Sequence, residues 1–372
     1  MTDAIQSVVM PKWGLAMQEG TLTEWHISEG DTIAPGQEIC DIETSKIANA
    51  LEATISGTVK RLVAKPGDTL PVGALMAVVV NGDVSDAEID AFVKKFEDEF
   101  AELMAKAEAS APKAQSVEID GRKINYLQMG QEGPAIVFIH GFGGDLNNWM
   151  FNQPNLSEKH RTYALDLPGH GASGKAVGDG SFAMLSGTVV KFLDAVGIDK
   201  AHLVGHSLGG AIAIAVAQAA PAKVASLTLI SPAGLGSEIN MDYINGFIGA
   251  QRRNDMKPVL SMLFANPELV TRDMVNEVLK FKRLDGVEDA LKAISGSVFA
   301  GGKQANLLRD ALAAVSVPVQ IVWGTEDRIL PVSHADGLGG NVTVTRAPNV
   351  GHMAHMEIAS EVTKLIETAA AS

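Results

Sequence analysis

The chain has 372 residues, 46% of them hydrophobic and 20% charged, enough for two domains that each bury a core. A formal net charge of −14 with no offsetting basic patch argues against nucleic acid as a partner, and the single cysteine, Cys40, excludes an intrachain disulfide and gives no sign of an oxidising compartment. Residues 1–6 lack the basic start and apolar run of a signal peptide, and the most apolar stretch, 211–230, is broken by Gln218, Pro221 and Lys223; a soluble, cytoplasmic protein with no membrane segment and no metal site is expected.

Residues 1–81 read as short strands at 7–10, 20–26, 38–43, 48–52, 57–63 and 75–80, punctuated by glycine and proline. A near-repeat organises them: Gly30-Asp31 followed by Gly36, then Gly67-Asp68 followed by Gly73. With no helical period in the segment, the expectation is a small flattened β-barrel of two equivalent halves. Asp41-Ile42-Glu43-Thr44-Ser45-Lys46-Ile47 lies between the halves, and Lys46 falls at the tip of a hairpin, presented as a point of attachment.

The strings Met10-Pro11-Lys12-Trp13-Gly14-Leu15, Glu24-Trp25, Glu29-Gly30-Asp31 and Glu43-Thr44-Ser45-Lys46 resemble the lipoyl domains of 2-oxo acid dehydrogenase complexes. The resemblance implies that Lys46 carries lipoate in amide linkage. Biotin carriers share the fold but usually flank their lysine with methionine, whereas Ser45 and Ile47 stand here.

Residues 82–115 form a connector. Ser85-Asp86 can cap a helix, Glu88 and Asp90 suit its first turn, and Ile89, Phe92, Val93, Phe96, Phe100, Leu103 and Met104 recur at three- and four-residue steps. Such a face must be covered, either by one of the domains or by a partner. An Ala/Pro hinge at 109–114 follows.

From 116 to 372 a hairpin turning at Asp120-Gly121 precedes apolar runs at 135–139, 162–165, 201–204, 226–230, 319–323 and 342–345, separated by helical segments. That alternation implies a parallel sheet covered on both faces. Gly205-His206-Ser207-Leu208-Gly209 sits between the strand at 201–204 and a helix from Leu208 through Ala220 that Pro221 ends, the setting of a nucleophile elbow, so Ser207 is the candidate nucleophile. A serine needs a base, and the base an orienting carboxylate. Asp327, in Gly324-Thr325-Glu326-Asp327, and His352, after Gly351, complete the order serine, acid, histidine; Glu326 and His355 are their competitors. Oxyanion donors are expected from the N–H of Leu208 and from the loop His140-Gly141-Phe142-Gly143-Gly144, with Phe142 preferred. His140 and Asp166 read as organisers of loops. Residues 233–305 read as Met- and Phe-containing helical segments with no strong strand signal.

These motifs resemble the α/β-hydrolase family over 116–372, and the resemblance implies that 233–305 are the inserted cap such enzymes carry, able to exclude water by closing over the site. A lipoyl domain joined to that fold resembles the dihydrolipoamide acetyltransferase components of acetoin dehydrogenase complexes. The transferases of pyruvate-type complexes carry His-x-x-x-Asp-Gly, for which His334-Ala335-Asp336-Gly337 has the wrong spacing. The resemblance implies coenzyme A as acyl acceptor, and dehydrogenase and dihydrolipoamide dehydrogenase components as partners; the sequence also admits a homo-oligomer. Rival readings are a lipoyl-tethered esterase or thioesterase, and a non-catalytic lipoyl carrier on a hydrolase-like scaffold.

Overall fold

A computed structural model describes residues 4–13, 17, 19–44, 48–110 and 112–371, and the chain divides into two compact units, Met1–Ala111 and Pro112–Ser372. Lys46, with Ser45 and Ile47, lies outside the described residues.

In the first unit the strands are β1 (Ile5–Val9), β2 (Glu19–Trp25), β3 (Thr32–Ile33), β4 (Glu38–Glu43), β5 (Ala48–Glu52), β6 (Gly57–Leu62), β7 (Thr69–Pro71) and β8 (Leu75–Val80). Among the described residues they make two four-stranded sheets, ordered β1-β8-β6-β3 and β5-β4-β2-β7. The near-repeat is visible in the hydrogen bonds. Asp31 Oδ2 accepts from Ser28 N, and Asp68 Oδ2 accepts from Lys65 N, each at 2.8 Å. Gly30 N donates to Val59 O, and Gly67 N to Leu22 O, each at 2.7 Å. Gly30 and Gly67 take φ of +99° and +96°, a turn conformation closed to most side chains. The two halves are therefore the same turn built twice, each strapping one sheet to the other. β4 and β5 pair antiparallel, with Glu43 opposite Ala48 as the last pair before the segment that holds Lys46.

The connector helix α1 (Asp86–Ser110) belongs to this first unit. Ser85 and Glu88 cap it reciprocally: Ser85 N donates to Glu88 Oε2 at 2.9 Å and Glu88 N to Ser85 Oγ at 3.4 Å. Its first half packs Ile89, Phe92, Val93 and Phe96 against Leu75, Val78 and Val80. Every residue of β8 is consequently buried, since one face meets the barrel core and the other meets the helix. Farther along, Leu103 and Met104 are exposed.

The second unit holds β9 (Gln115–Ile119), β10 (Arg122–Met129), β11 (Ala135–Ile139), β12 (Arg161–Leu165), β13 (Ala201–His206), β14 (Val224–Ile230), β15 (Val319–Gly324) and β16 (Val342–Ala347). Their order is β16-β15-β14-β13-β11-β12-β10-β9, parallel from β16 to β12, with antiparallel β10 and β9 at the edge. The edge hairpin turns on Asp120 and Gly121, both at positive φ (+49° and +72°), which matches the right-handed strand twist. Between β14 and β15 the described residues form helices without strands: Met241–Gly249, Arg253–Ser261, Arg272–Lys282 and Val287–Val298 among them. This helical layer shares one apolar core with the inner sheet face. Among the described residues, no helix is long and apolar enough to cross a membrane.

Two short strands, β3 and β7, carry no readable alternation in sequence. At two and three residues they are set by the repeated turns rather than by a hydrophobic pattern.

Candidate active site

β13 ends at His206 in the middle of the sheet, Ser207 follows with φ 53° and ψ −116°, and the helix Leu208–Ala219 starts at once. That backbone is strained for any residue other than glycine, and it persists because its surroundings over-determine it. Ser207 N donates to Ile230 O at 3.0 Å, while Ser207 O accepts from Gly210 N and Ala233 N, both at 2.9 Å. The motif glycines serve clearance: a Cβ on Gly205 would stand 2.6 Å from the Gly209 carbonyl carbon, and one on Gly209 would stand 2.6 Å from His140 O. Ser207 is thus lifted to the sheet's end, nine-tenths buried.

The loops after β15 and β16 bring Asp327 and His352 together, His352 Nδ1 to Asp327 Oδ2 at 2.7 Å, with both side chains almost wholly buried. Asp327 also accepts from Trp323 Nε1 (3.1 Å), Ile329 N (2.8 Å) and Leu330 N (3.0 Å). Burial alone would raise its pKa; attraction to His352 and the hydrogen bonds from His352, Leu330 and Ile329 outweigh burial and hold the carboxyl below the usual range. An ionised acceptor at Nδ1 fixes the proton there and leaves His352 Nε2 as the basic nitrogen. Glu326, the sequence competitor, is exposed, and among the described residues its side chain bonds only to Thr325 while its backbone N–H donates to Val350 O.

Hydrogen bonds from several segments hold the His352 loop. His352 N donates to Leu263 O at 2.8 Å, and Glu357 accepts from Gly351 N (2.8 Å) and from Ala265 N (2.9 Å). A Cβ on Gly351 would press within 2.6 Å of Ala265 N, so only glycine lets this loop close on residues 263–265 of the cap. His206 closes the constellation. Its Nε2 meets His352 O at 3.0 Å and its ring lies 4.7 Å from the His352 ring. Sequence reasoning passed over His206 because the elbow motif treats that position as free. No hydrogen bond joins Ser207 Oγ to His352 among the described residues; such bonds tighten when substrate arrives.

Neither Phe142 N–H nor Leu208 N–H donates to an acceptor among the described residues, which leaves both available to an oxyanion. The loop bearing Phe142 packs against the elbow, since a Cβ on Gly141 would fall 3.0 Å from Ser207 Cβ. The Phe142 ring meets Phe247 and Phe299 of the helical layer at 6.1 and 5.8 Å, so the oxyanion loop and the cap share one aromatic contact.

His140 and Asp166 organise loops, as the sequence suggests. His140 Nδ1 faces Gly141 O at 2.7 Å and its Nε2 accepts from Leu167 N at 3.0 Å, while burial lowers its pKa to about 4. Asp166 accepts from Leu146 N, Ala172 N and Asn125 Nδ2 at 2.7–2.8 Å. His355 is wholly buried between Trp149 and His206, burial lowers its pKa to about 3, and among the described residues neither ring nitrogen has a hydrogen-bond partner and no carboxylate pairs with it. His334 pairs with Glu238 and Asp336 with Arg346, each at 2.7 Å, so the string that partly mimics the pyruvate-type motif has its own local partners.

Two family models match the chain: an alpha/beta hydrolase fold over residues 134–358 and a biotin-requiring enzyme domain over residues 6–79. Among solved structures, a meta-cleavage product hydrolase from Pseudomonas fluorescens IP01 aligns with TM-score 0.62 at 22% identity, covering 68% of this chain and 96% of its own; this likeness speaks to fold alone. Two curated relatives cover both halves. The dihydrolipoyllysine-residue acetyltransferase component of the acetoin cleaving system of Pseudomonas putida is 48% identical over 96% of each chain. The component of the same name from Cupriavidus necator is 43% identical over 99% of this chain and 98% of its own. With a lipoyl-type barrel in front of a serine-elbow hydrolase fold, and with that identity across both, the chain belongs to the family of dihydrolipoyllysine-residue acetyltransferase components of acetoin cleaving systems.

Proposed function

We propose that the chain moves an acetyl group from the dihydrolipoyl arm on Lys46 to coenzyme A through an acetyl-Ser207 intermediate, as one component of an acetoin-cleaving assembly. The observation that carries the serine route is the buried Asp327–His352 pair, 2.7 Å apart, whose histidine loop is bonded to the residue preceding the Ser207 elbow. For Lys46, the paired strands that end at Glu43 and Ala48, with both of those residues exposed, fit a covalent attachment point on the barrel's surface. Lipoate held there supplies a thiol that carries the acetyl group as a thioester.

His352 Nε2 takes the Ser207 proton as Oγ adds to the thioester carbonyl, and the N–H groups of Phe142 and Leu208 receive the developing oxyanion. The C–S bond breaks, His352 returns the proton to the departing sulfur, and acetyl remains on Ser207. The thiol of coenzyme A then gives its proton to His352 and attacks the ester, and Ser207 Oγ leaves and is reprotonated. Asp327 stays ionised and stabilises the imidazolium in both halves. The cap core around Phe247 and Phe299 excludes the water that would otherwise compete. Dehydrogenase and dihydrolipoamide dehydrogenase components would load and reoxidise the arm.

The test uses the lipoylated chain with its arm acetylated, mixed with and without coenzyme A. Acetyl-coenzyme A formation, a lipoyl mass adduct on Lys46, phosphonate labelling of Ser207 and loss of both transfer and labelling in Ser207→Ala are expected. Rapid acetate release with no acetyl-coenzyme A would replace the transferase by a tethered thioesterase. Unchanged transfer in Ser207→Ala would reduce the hydrolase-like half to a scaffold.

A further inference from the structure

The acidic balance of this chain is uneven. Residues 1–111 hold 8 Lys and Arg against 19 Asp and Glu, whereas residues 112–372 hold 22 against 25. Against that background one groove of the second unit stands out. It has a volume of about 590 Å³ and lies between the start of the helix Arg253–Ser261 and the end of the helix Arg272–Lys282. Four cations line it, Arg252, Arg253, Lys280 and Arg283, with Glu277 as its one carboxylate. Lys280 reaches Glu277 at 3.6 Å, while Arg252, Arg253 and Arg283 make no ion pair among the described residues. Arg253 Nε donates to Asn276 Oδ1 across the groove at 2.7 Å, and among the described residues no carboxylate takes the guanidinium groups of Arg252, Arg253 or Arg283, which suits a compact polyanion of the phosphate kind.

The walls of the groove are fixed and lead inward. Lys282, buried and lying in sequence between the groove's Lys280 and Arg283, donates to the carbonyls of Phe247, Ile248 and Ala250, which ties its helix to the end of the helix Met241–Gly249. Phe281, next to the groove's Lys280, stacks on His170, and His170 and Phe247 both flank the Phe142 ring at 6.1 Å. The groove is therefore joined through single side chains to the loop that serves the acyl oxyanion.

We infer that this groove takes the phosphate-bearing nucleotide end of coenzyme A, leaving the thiol arm to reach Ser207. The inference rests on the transfer reading above and adds to it the site that distinguishes this acceptor from water. A lipoyl unit of net negative charge is the competing occupant; the concavity and the four converging cations favour the smaller, denser charge.

The experiment uses the full lipoylated chain and its Arg252→Ala/Arg283→Ala variant, in which both changes are at exposed positions. Adenosine 3′,5′-bisphosphate, titrated calorimetrically, should bind the parent and bind the variant at least about tenfold more weakly. In steady state, KM for coenzyme A should rise at least about tenfold in the variant, while KM for pantetheine, which lacks the nucleotide, and kcat should stay unchanged. Equal bisphosphate affinity in parent and variant overturns the assignment, as does an equal rise of KM for both acceptors. A rise in KM for the acetylated lipoyl donor alone gives the groove to the lipoyl domain instead. Should the parent release only acetate whichever thiol is present, the transfer reading fails, and the bisphosphate titration still decides whether the groove is a phosphate site.

Discussion

Replacing Asp327 by Asn changes one oxygen into an N–H group at a point where two donors converge. Asp327 Oδ2 accepts from His352 Nδ1 at 2.7 Å and from Trp323 Nε1 at 3.1 Å, while Oδ1 accepts from two backbone N–H groups. The amide can keep Oδ1 on Ile329 and Leu330, but its NH₂ then faces His352, which must place its proton on Nε2 and so cannot act as base toward Ser207. Losing a unit charge about 4 Å from the imidazolium, at an effective dielectric of about 20, removes roughly 4 kcal/mol of stabilisation, on the order of 10³ in rate. With the tautomer also wrong, kcat for acetyl transfer in Asp327→Asn should fall about 10³- to 10⁴-fold. The assay is transfer from acetylated dihydrolipoamide to coenzyme A under saturating conditions, with circular dichroism to establish the fold. Glu326→Gln, an exposed change at the neighbouring position, is the control and should leave kcat within about twofold. A variant Asp327→Asn that keeps more than about a tenth of the parent kcat would refute the assigned orienting role.

Two further outcomes follow from the same geometry. Gly209→Ala forces a methyl toward backbone carbonyls that cannot retreat, His140 O at 2.6 Å among them, and should destabilise the second unit by about 3 kcal/mol, read as a lower urea midpoint; an unchanged midpoint would mean that the elbow yields. Acid should weaken the fold before it reaches the carboxylates. Burial lowers the pKa of His140 to about 4 and those of His170 and His355 to about 3, so between the ordinary value of 6.5 and those values the unfolded chain binds protons that the native one refuses. Stability is then full above about pH 6.5 and falls as pH drops, by up to about 1.4 kcal/mol per pH unit for each histidine; urea midpoints that stay level from pH 7 to pH 5 would count against it.

Much of the site was legible because its chemistry constrains backbone as well as side chain. Gly205 and Gly209 flank Ser207 for clearance that only glycine gives, and such clearance leaves a spacing in the sequence. Asp327 was separable from Glu326 by position in its loop, and the structure turns one inward and leaves the other in solvent. His206 and Lys282 were not legible. Each acts on backbone carbonyls supplied by distant segments, His352 in one case and 247–250 in the other, and no local pattern announces such a partner. The connector helix was readable as a helix from its apolar period and its Ser85–Glu88 cap. What it covers was not, because a run such as 75–80 looks the same whether one of its faces is meant for a barrel or for a helix.

That shared strand decides where the chain can be divided. A fragment ended at residue 81 would keep all eight strands of the barrel yet shed the cover over Leu75, Val78 and Val80, turning an interior seam into a sticky outer stripe. Extending the fragment through Phe100, whose ring stands 3.3 Å from where a side chain on Gly73 would begin, keeps the seam shut. The helix is thus less a tether between two bodies than the last stave of the first.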